Sequence, residues 1–370
     1  MTHKLDRVYG QNHIVSFLEE CVKSNLFSHA LLFTGQNGTG KFNAAVEFSK
    51  SINSSGESEN IQKLLDKISS LKEPYIKYIF PLPRGKGESN TDGPFDKLSS
   101  EILELISTET ERKSRNSFYR FTIPGSNNIK ISSIRDIKKN ISFDFSDIRY
   151  KIIIIEDAHL MSDEAQNALL KSLEEPPAGV IFILLTPHAD RLLPTIRSRC
   201  WHFKFKPLSE DILTNILIDN FNIDINLAKR VAPFSDGSVN NALEMIANDF
   251  DYLLDKTITI LRYSLGRRYH TAIRAIYEIL ENESFLAFYQ VLRLISIWLN
   301  DVMKNRKKIN ISTYIDYVDT LEKFNARFTE ADVVKINQSL NELIAASEKN
   351  VNLNLIATNI IFEIASIALR

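Results

Sequence analysis

Apolar positions along this chain follow two rhythms. Ile14, Phe17, Leu18 and Cys21 recur at helical spacing, and the unbroken apolar stretch Ala30-Leu31-Leu32-Phe33 leads from them into a glycine-rich turn. That order predicts a helix, a buried strand and a loop. Lys151 introduces four consecutive isoleucines, Ile152 to Ile155, and a strand without alternation belongs inside a parallel sheet with both faces covered. Ser162 has the character of an N-cap, with Asp163 and Glu164 in the first turn. Ala165, Ala168, Leu169 and Leu173 then form the buried face of a helix that Pro176-Pro177 stops, and Val180 to Leu185 is the next strand. Strand, helix and strand in this order predict a right-handed crossover, and so an α/β sheet with helices on its faces.

Beyond Leu208 the rhythm is helical only. Phe285, Phe288, Val291, Leu292, Ile295 and Leu299 fit one helical face, and Leu340, Leu343 and Ile344 fit another. The residues that punctuate strands and loops agree: 10 of 12 glycines and 10 of 11 prolines precede Leu208. This break predicts an α/β domain over residues 1–207, a small helical unit over 208–255 and a larger helical domain over 256–370. Residues 51–119 read as an insertion in the first domain. Within it Glu101 to Arg115 predicts a helix with a charged end, and Pro81 to Pro94 an exposed, mobile loop.

Composition narrows the class. The 370 residues carry 45 basic and 46 acidic side chains, so the overall charge shows no footprint of a stand-alone nucleic-acid binder. Two cysteines, Cys21 and Cys200, build neither a disulfide framework nor a four-cysteine zinc site, and they point to a reducing compartment. The N-terminal Met1-Thr2-His3-Lys4-Leu5-Asp6 has no apolar run behind its basic residue. The apolar stretch Leu353 to Leu369 is interrupted by Asn354, Thr358, Asn359 and Glu363, too polar for a membrane span. A cytoplasmic protein without a membrane partner is expected.

Gly35-Gln36-Asn37-Gly38-Thr39-Gly40-Lys41 has the spacing G-x-x-x-x-G-K, after a strand and before a helical run, which is the setting of a phosphate-binding P-loop. Glycines let successive N–H groups turn toward a phosphate, the helix N-terminus adds its positive end, and Lys41 can reach the terminal phosphates. Phe42 follows, where a magnesium-binding Ser or Thr belongs; either turnover is impaired or the loop serves as architecture. Glu156 and Asp157 end the isoleucine strand, in the reverse of the usual Asp-Glu order. They read as catalytic acids or as a solvated strand edge. Thr186 is either a sensor of the γ-phosphate or the first polar residue of a turn before Pro187. Arg197 and Arg199 are surface ion-pair partners, or one of them reaches a neighbour's phosphate. No metal site emerges: the seven histidines lack ligand spacing.

Taken in order, Tyr9-Gly10-Gln11, Ser28 to Phe33, the P-loop, Glu156 to Met161, Asn167 to Pro177 and Ser198-Arg199-Cys200 resemble the clamp-loader branch of the AAA+ proteins. Within that branch they are most similar to the delta-prime subunits of bacterial DNA polymerase III. The resemblance implies a P-loop (AAA+) domain with a parallel sheet, a small helical lid and an all-α C-terminal collar. It implies a ring with the motor (gamma/tau) and delta subunits, which places a sliding clamp on primed DNA. Arg199 would act in trans as an arginine finger on a neighbour's ATP, and Thr186 takes the sensor position. The chain's own nucleotide residues would be Gly35, Gly38, Thr39, Gly40, Lys41, Glu156, Asp157 and Thr186.

Three departures qualify this: Phe42, the inverted Glu156-Asp157 pair, and Asn240 where active subunits have an arginine. They lead to the expectation of a stator that is not itself an enzyme, with ATP and magnesium binding possible but not required and without efficient turnover. Many relatives carry a four-cysteine zinc module that the cysteine-free stretch 51–119 lacks, so no zinc is expected. The alternative is an ATP-hydrolysing motor of gamma/tau type or a helicase loader.

Overall fold

The computed structural model describes residues 4–54, 59–89, 91–141, 148–282, 285–311, 313–347 and 352–367. Met1 to His3 of the N-terminal stretch, Asn90 of the Pro81 to Pro94 loop and Leu369 fall outside the described residues. The chain divides into two compact units, Met1–Ile216 with Gly237–Asn240, and Leu217–Asp236 with Asn241–Arg370.

The first unit contains a five-stranded parallel sheet: β1 Ala30–Thr34, β2 Ile76–Ile79, β3 Lys151–Ile155, β4 Val180–Thr186 and β5 Trp201–Lys204, in the order β2-β3-β4-β1-β5. Its helices are α1 Asn12–Ser24, α2 Lys41–Asn53, α3 Glu59–Ser69, α4 Ser100–Arg115, α5 Ile131–Ile141, α6 Asp163–Glu174 and the single turn α7 Pro194–Arg197. The isoleucine strand is interior, as its lack of alternation predicts. Ile152 and Ile154 pack with Phe33 and Phe48 on one side, while Ile153 and Ile155 pack with Leu169, Leu173 and Phe182 on the other. Ser162 caps α6 by accepting from the Ala165 N–H at 3.2 Å, and α6 returns the chain to β4.

The stretch 51–119 is more than a surface addition, because it supplies β2, which pairs in parallel with β3. Ile76-Lys77-Tyr78-Ile79 offers too short an apolar signal to be recognised alone. The Pro81 to Pro94 loop is also better anchored than expected. Pro81, Leu82 and Pro94 are buried, Leu82 bridges to Asn128, and Glu88 holds a nearly buried ion pair with Lys130 at 2.7 Å. Composition reads polarity and glycine content, and it cannot see an anchor on the far side of α4.

Helix α8 Glu210–Phe221 runs from the first unit into the second. The second unit is helical: α9 Ile225–Val231, α10 Val239–Ala247 with its first residues in the first unit, α11 Phe250–Leu265, α12 Tyr269–Asn282, α13 Phe285–Arg306, α14 Val318–Arg327, α15 Val333–Ser347 and α16 Leu353–Ser366. Phe288, Val291, Leu292, Ile295 and Leu299 of α13 are buried on the face that their spacing predicts. Asp301 on the same helix is fully buried, and it accepts from Thr313 and from the Tyr314 N–H at 3.0 Å. No described helix is long and apolar enough to cross a membrane.

Because Ile154 fills a dry layer between the sheet and α2, Ile154→Ala leaves a cavity. The substitution is expected to cost about 2–5 kcal/mol, measured as a fall in the midpoint of urea unfolding.

Candidate nucleotide-binding site

The glycine-rich loop leaves the C-terminal end of β1 and re-enters the fold as α2. Two glycines make its path possible. Gly35 has φ +139°, and a Cβ there would come within 2.5 Å of the Phe205 carbonyl oxygen; Gly38 has φ +76°, and a Cβ would meet Ser238 Oγ at 2.5 Å. The loop is tied down on both sides. Gln11, fully buried, donates from Nε2 to the Thr39 carbonyl of the loop at 3.4 Å and to the Lys206 carbonyl at 2.8 Å, and accepts from the Lys206 N–H at 3.1 Å. On the other side Ser238 Oγ donates to the Asn37 carbonyl at 2.8 Å, and the Val239 N–H donates to the Gly38 carbonyl at 3.1 Å.

Lys41 lies at the first turn of α2 and is 7% exposed. Its ammonium donates to the carbonyls of Gly35 at 2.6 Å and Gln36 at 2.7 Å, while Thr39 Oγ1 donates to the Gln36 carbonyl at 2.9 Å. Burial pulls the Lys41 pKa down to about 8, against the opposing pull of Asp157 and Glu156. Gly38, Gly40, Lys41, Glu156, Asp157 and Asn240 line one cavity together with Lys113 and Arg120. The two acids therefore face the loop and are not an idle strand edge. Asp157 adopts a left-handed φ of 49°, and burial with the adjacent Glu156 charge raises its pKa to about 6.

Other expected residues lie elsewhere. Thr186 is fully buried at the end of β4, where its hydroxyl meets His159 Nδ1 at 3.1 Å and accepts from the His188 N–H at 2.9 Å; it does not line the cavity. Arg199, on the turn between α7 and β5, donates to the Thr195 carbonyl at 2.9 Å and pairs with Glu174 at 2.8 Å at the end of α6. Cys200 beside it is pushed up to about 12 by burial, so its thiol stays protonated.

The residues that the motif reading missed come from the 51–119 stretch. Lys113, near the end of α4, pairs with Glu156 at 3.1 Å, donates to the Tyr119 carbonyl at 2.8 Å and stands 4.4 Å from the centre of the Phe42 ring. Tyr78 of β2 donates its hydroxyl to the other oxygen of Glu156 and meets Phe42 edge to face at 5.3 Å. A lysine at the charged end of an amphipathic helix carries no signal in the sequence, since its partner is 43 residues away.

A parallel sheet with a glycine-rich loop, a lysine and two acids at one edge defines a P-loop α/β protein. The family model described as DNA polymerase III, delta subunit, matches residues 10–209, and the chain belongs to that family. It is 29% identical over 248 residues to DNA polymerase III subunit tau of Bacillus subtilis, covering 66% of this chain and 37% of the relative. It is 27% identical over 346 residues to subunit gamma of Buchnera aphidicola subsp. Baizongia pistaciae, covering 90% of this chain and 77% of the relative. A gamma subunit-related protein of Thermotoga maritima superposes with a TM-score of 0.39 at 16% identity, covering 95% of this chain and 99% of that one.

These relatives correct one expectation. The expectation of a chain that is not itself an enzyme is overturned, because the relatives that it matches over 66% and 90% of its length are tau and gamma subunits, the ATP-hydrolysing type. Lys41 and both acids are present in one cavity, so the substitutions at Phe42 and Asn240 do not by themselves make a spent site. A place in a polymerase complex is likewise not a polymerase activity.

Because the Asp157 pKa is raised on folding, the native state holds that proton more tightly than the unfolded chain. Its favourable contribution is complete below the unfolded value near 4 and is lost as pH rises through about 6. Asp157→Asn is thus expected to be more stable than the parent at pH 7, with the gap closing below about pH 4, as read by thermal melts across that range.

Proposed function

We propose that this chain is a clamp-loader subunit of the delta-prime type. It binds ATP at its own P-loop and presents Arg199 to the nucleotide of an adjacent gamma/tau subunit. With the delta subunit the assembly places a sliding clamp on primed DNA. The observation that supports this reading best is the position of Arg199. Its side chain is one-third exposed, does not line the cavity at the chain's own loop, and is held by Glu174, which is itself half exposed. An exposed ion pair contributes little and is readily exchanged, so a phosphate offered by a neighbour can displace the carboxylate.

The second reading, an ATP-hydrolysing motor, is favoured by the 29% identity to subunit tau and by the shared cavity of Lys41, Glu156 and Asp157. The two readings differ in which site fires. The first locates the effect of Arg199 in a neighbour; the second locates turnover in this chain.

Both are tested in the reconstituted loader. Arg199→Ala is expected to cut ATP turnover at the adjacent site by about a thousandfold, with assembly unchanged by size-exclusion chromatography. Unchanged turnover in an intact complex would sink the trans role. Lys41→Ala is expected to abolish nucleotide binding by the isolated chain, and steady ATP hydrolysis by the unmodified isolated chain would establish the motor.

A further inference from the structure

The AAA+ fold implies a magnesium ion between the loop, the strand-end acid and the phosphates, held in part by the hydroxyl that follows the P-loop lysine. The residues present do not fit that ion. Phe42 occupies the hydroxyl position and its ring has no oxygen to offer, and it is packed against Tyr78. Glu156, the acid at the end of β3, is engaged through both oxygens: one accepts from the Lys113 ammonium at 3.1 Å, the other from the Tyr78 hydroxyl.

What stands in this place is a cation of the chain's own. We propose that this chain binds a nucleoside triphosphate without magnesium, and that the ammonium of Lys113 supplies the charge that the ion would bring. The inference rests on the reading that the P-loop takes ATP. Three features carry it. Lys113 is positioned from two directions, since its ammonium bonds Glu156 and the Tyr119 carbonyl and faces the Phe42 ring at 4.4 Å. It is almost fully buried, with 4% of its side chain exposed, so its position is set by these contacts and not by solvent. It lines the same cavity as Lys41 and Arg120, opposite Glu156 and Asp157.

Three basic groups against two acids leave this cavity with a net positive charge, which suits a free triphosphate better than one already shielded by a divalent ion. The tethered ammonium also explains the aromatic substitution. A lysine above the ring at position 42 gains from the negative π face, and a hydroxyl there would offer no comparable surface. Lys113 is a positioning and binding residue in this account: it keeps Glu156 compensated and brings its charge, with the one N–H not bonded to Glu156 or Tyr119, to the phosphate oxygens.

The test is equilibrium binding of a fluorescent ATP analogue to the full chain in buffer with magnesium and in buffer with EDTA. The expected result is binding in EDTA within a few-fold of that in magnesium. Lys113→Met should weaken binding in EDTA by about tenfold to a hundredfold, the loss of one charged hydrogen-bonding group, while Lys113→Arg retains most of it. The double substitution Phe42→Thr with Lys113→Met, which removes the tethered cation and restores the hydroxyl, should make binding depend on magnesium. Melting curves for each variant separate loss of binding from loss of fold. Binding in magnesium that disappears in EDTA overturns the inference and leaves the nucleotide reading intact. Absence of binding in both buffers overturns the nucleotide reading as well.

Discussion

The strands β1, β3 and β4 bury every side chain that they carry, and this constraint governs the first unit. A parallel strand with no wet face needs helices on both sides, and each return to the sheet must cross over it in the same sense. All strands then end at one edge. The loop after β1, the acids after β3 and the threonine that closes β4 come to that edge because the sheet is parallel. The arrangement is thus a consequence of burying Ile152 to Ile155 on both faces before it is a matter of chemistry. Nucleotide sites in open α/β sheets lie at this edge for the same reason.

Charge at that edge is balanced by groups drawn from distant parts of the chain. Lys41 and Lys113, both nearly buried, face Glu156 and Asp157 in one cavity. The opposing pKa directions of Lys41, held down, and Asp157, held up, have burial as their largest cause. Neither charge is comfortable alone. A site of this kind responds to a polyanion, because phosphate oxygens compensate the two ammonium groups and push the Asp157 pKa further up. The same desolvation is what allows one tethered lysine to act where a hydrated ion would otherwise be needed.

Arg199 is organised differently. It lies on a surface turn, its partner Glu174 is exposed, and no buried network fixes it. A group that must leave one partner for another is best held by a weak, solvent-screened pair, whereas Lys113 is locked by burial. The Phe42 ring does not by itself make the loop a spent site. Single substitutions such as Phe42 report the loss of one metal ligand, and they do not report which other cation has entered the cavity.

The sequence by itself determined the strand β3, the P-loop and its helix, the Ser162 cap, and the break between mixed and helical regions. Each of these is written locally, in periodicity, capping chemistry or the placement of glycine and proline. Only the tertiary structure decided that Glu156 is neutralised by Lys113 and bonded by Tyr78, and that Thr186 answers to His159 and His188 and stays out of the cavity. It also decided that the stretch read as an insertion supplies both an edge strand and the cation of the site. Apart from the short-range His188–Thr186 bond, the side-chain pairings join residues 27 to 78 positions apart. No spacing rule reaches so far, because contact between such side chains follows from how the sheet edge and α4 pack and not from their order along the chain.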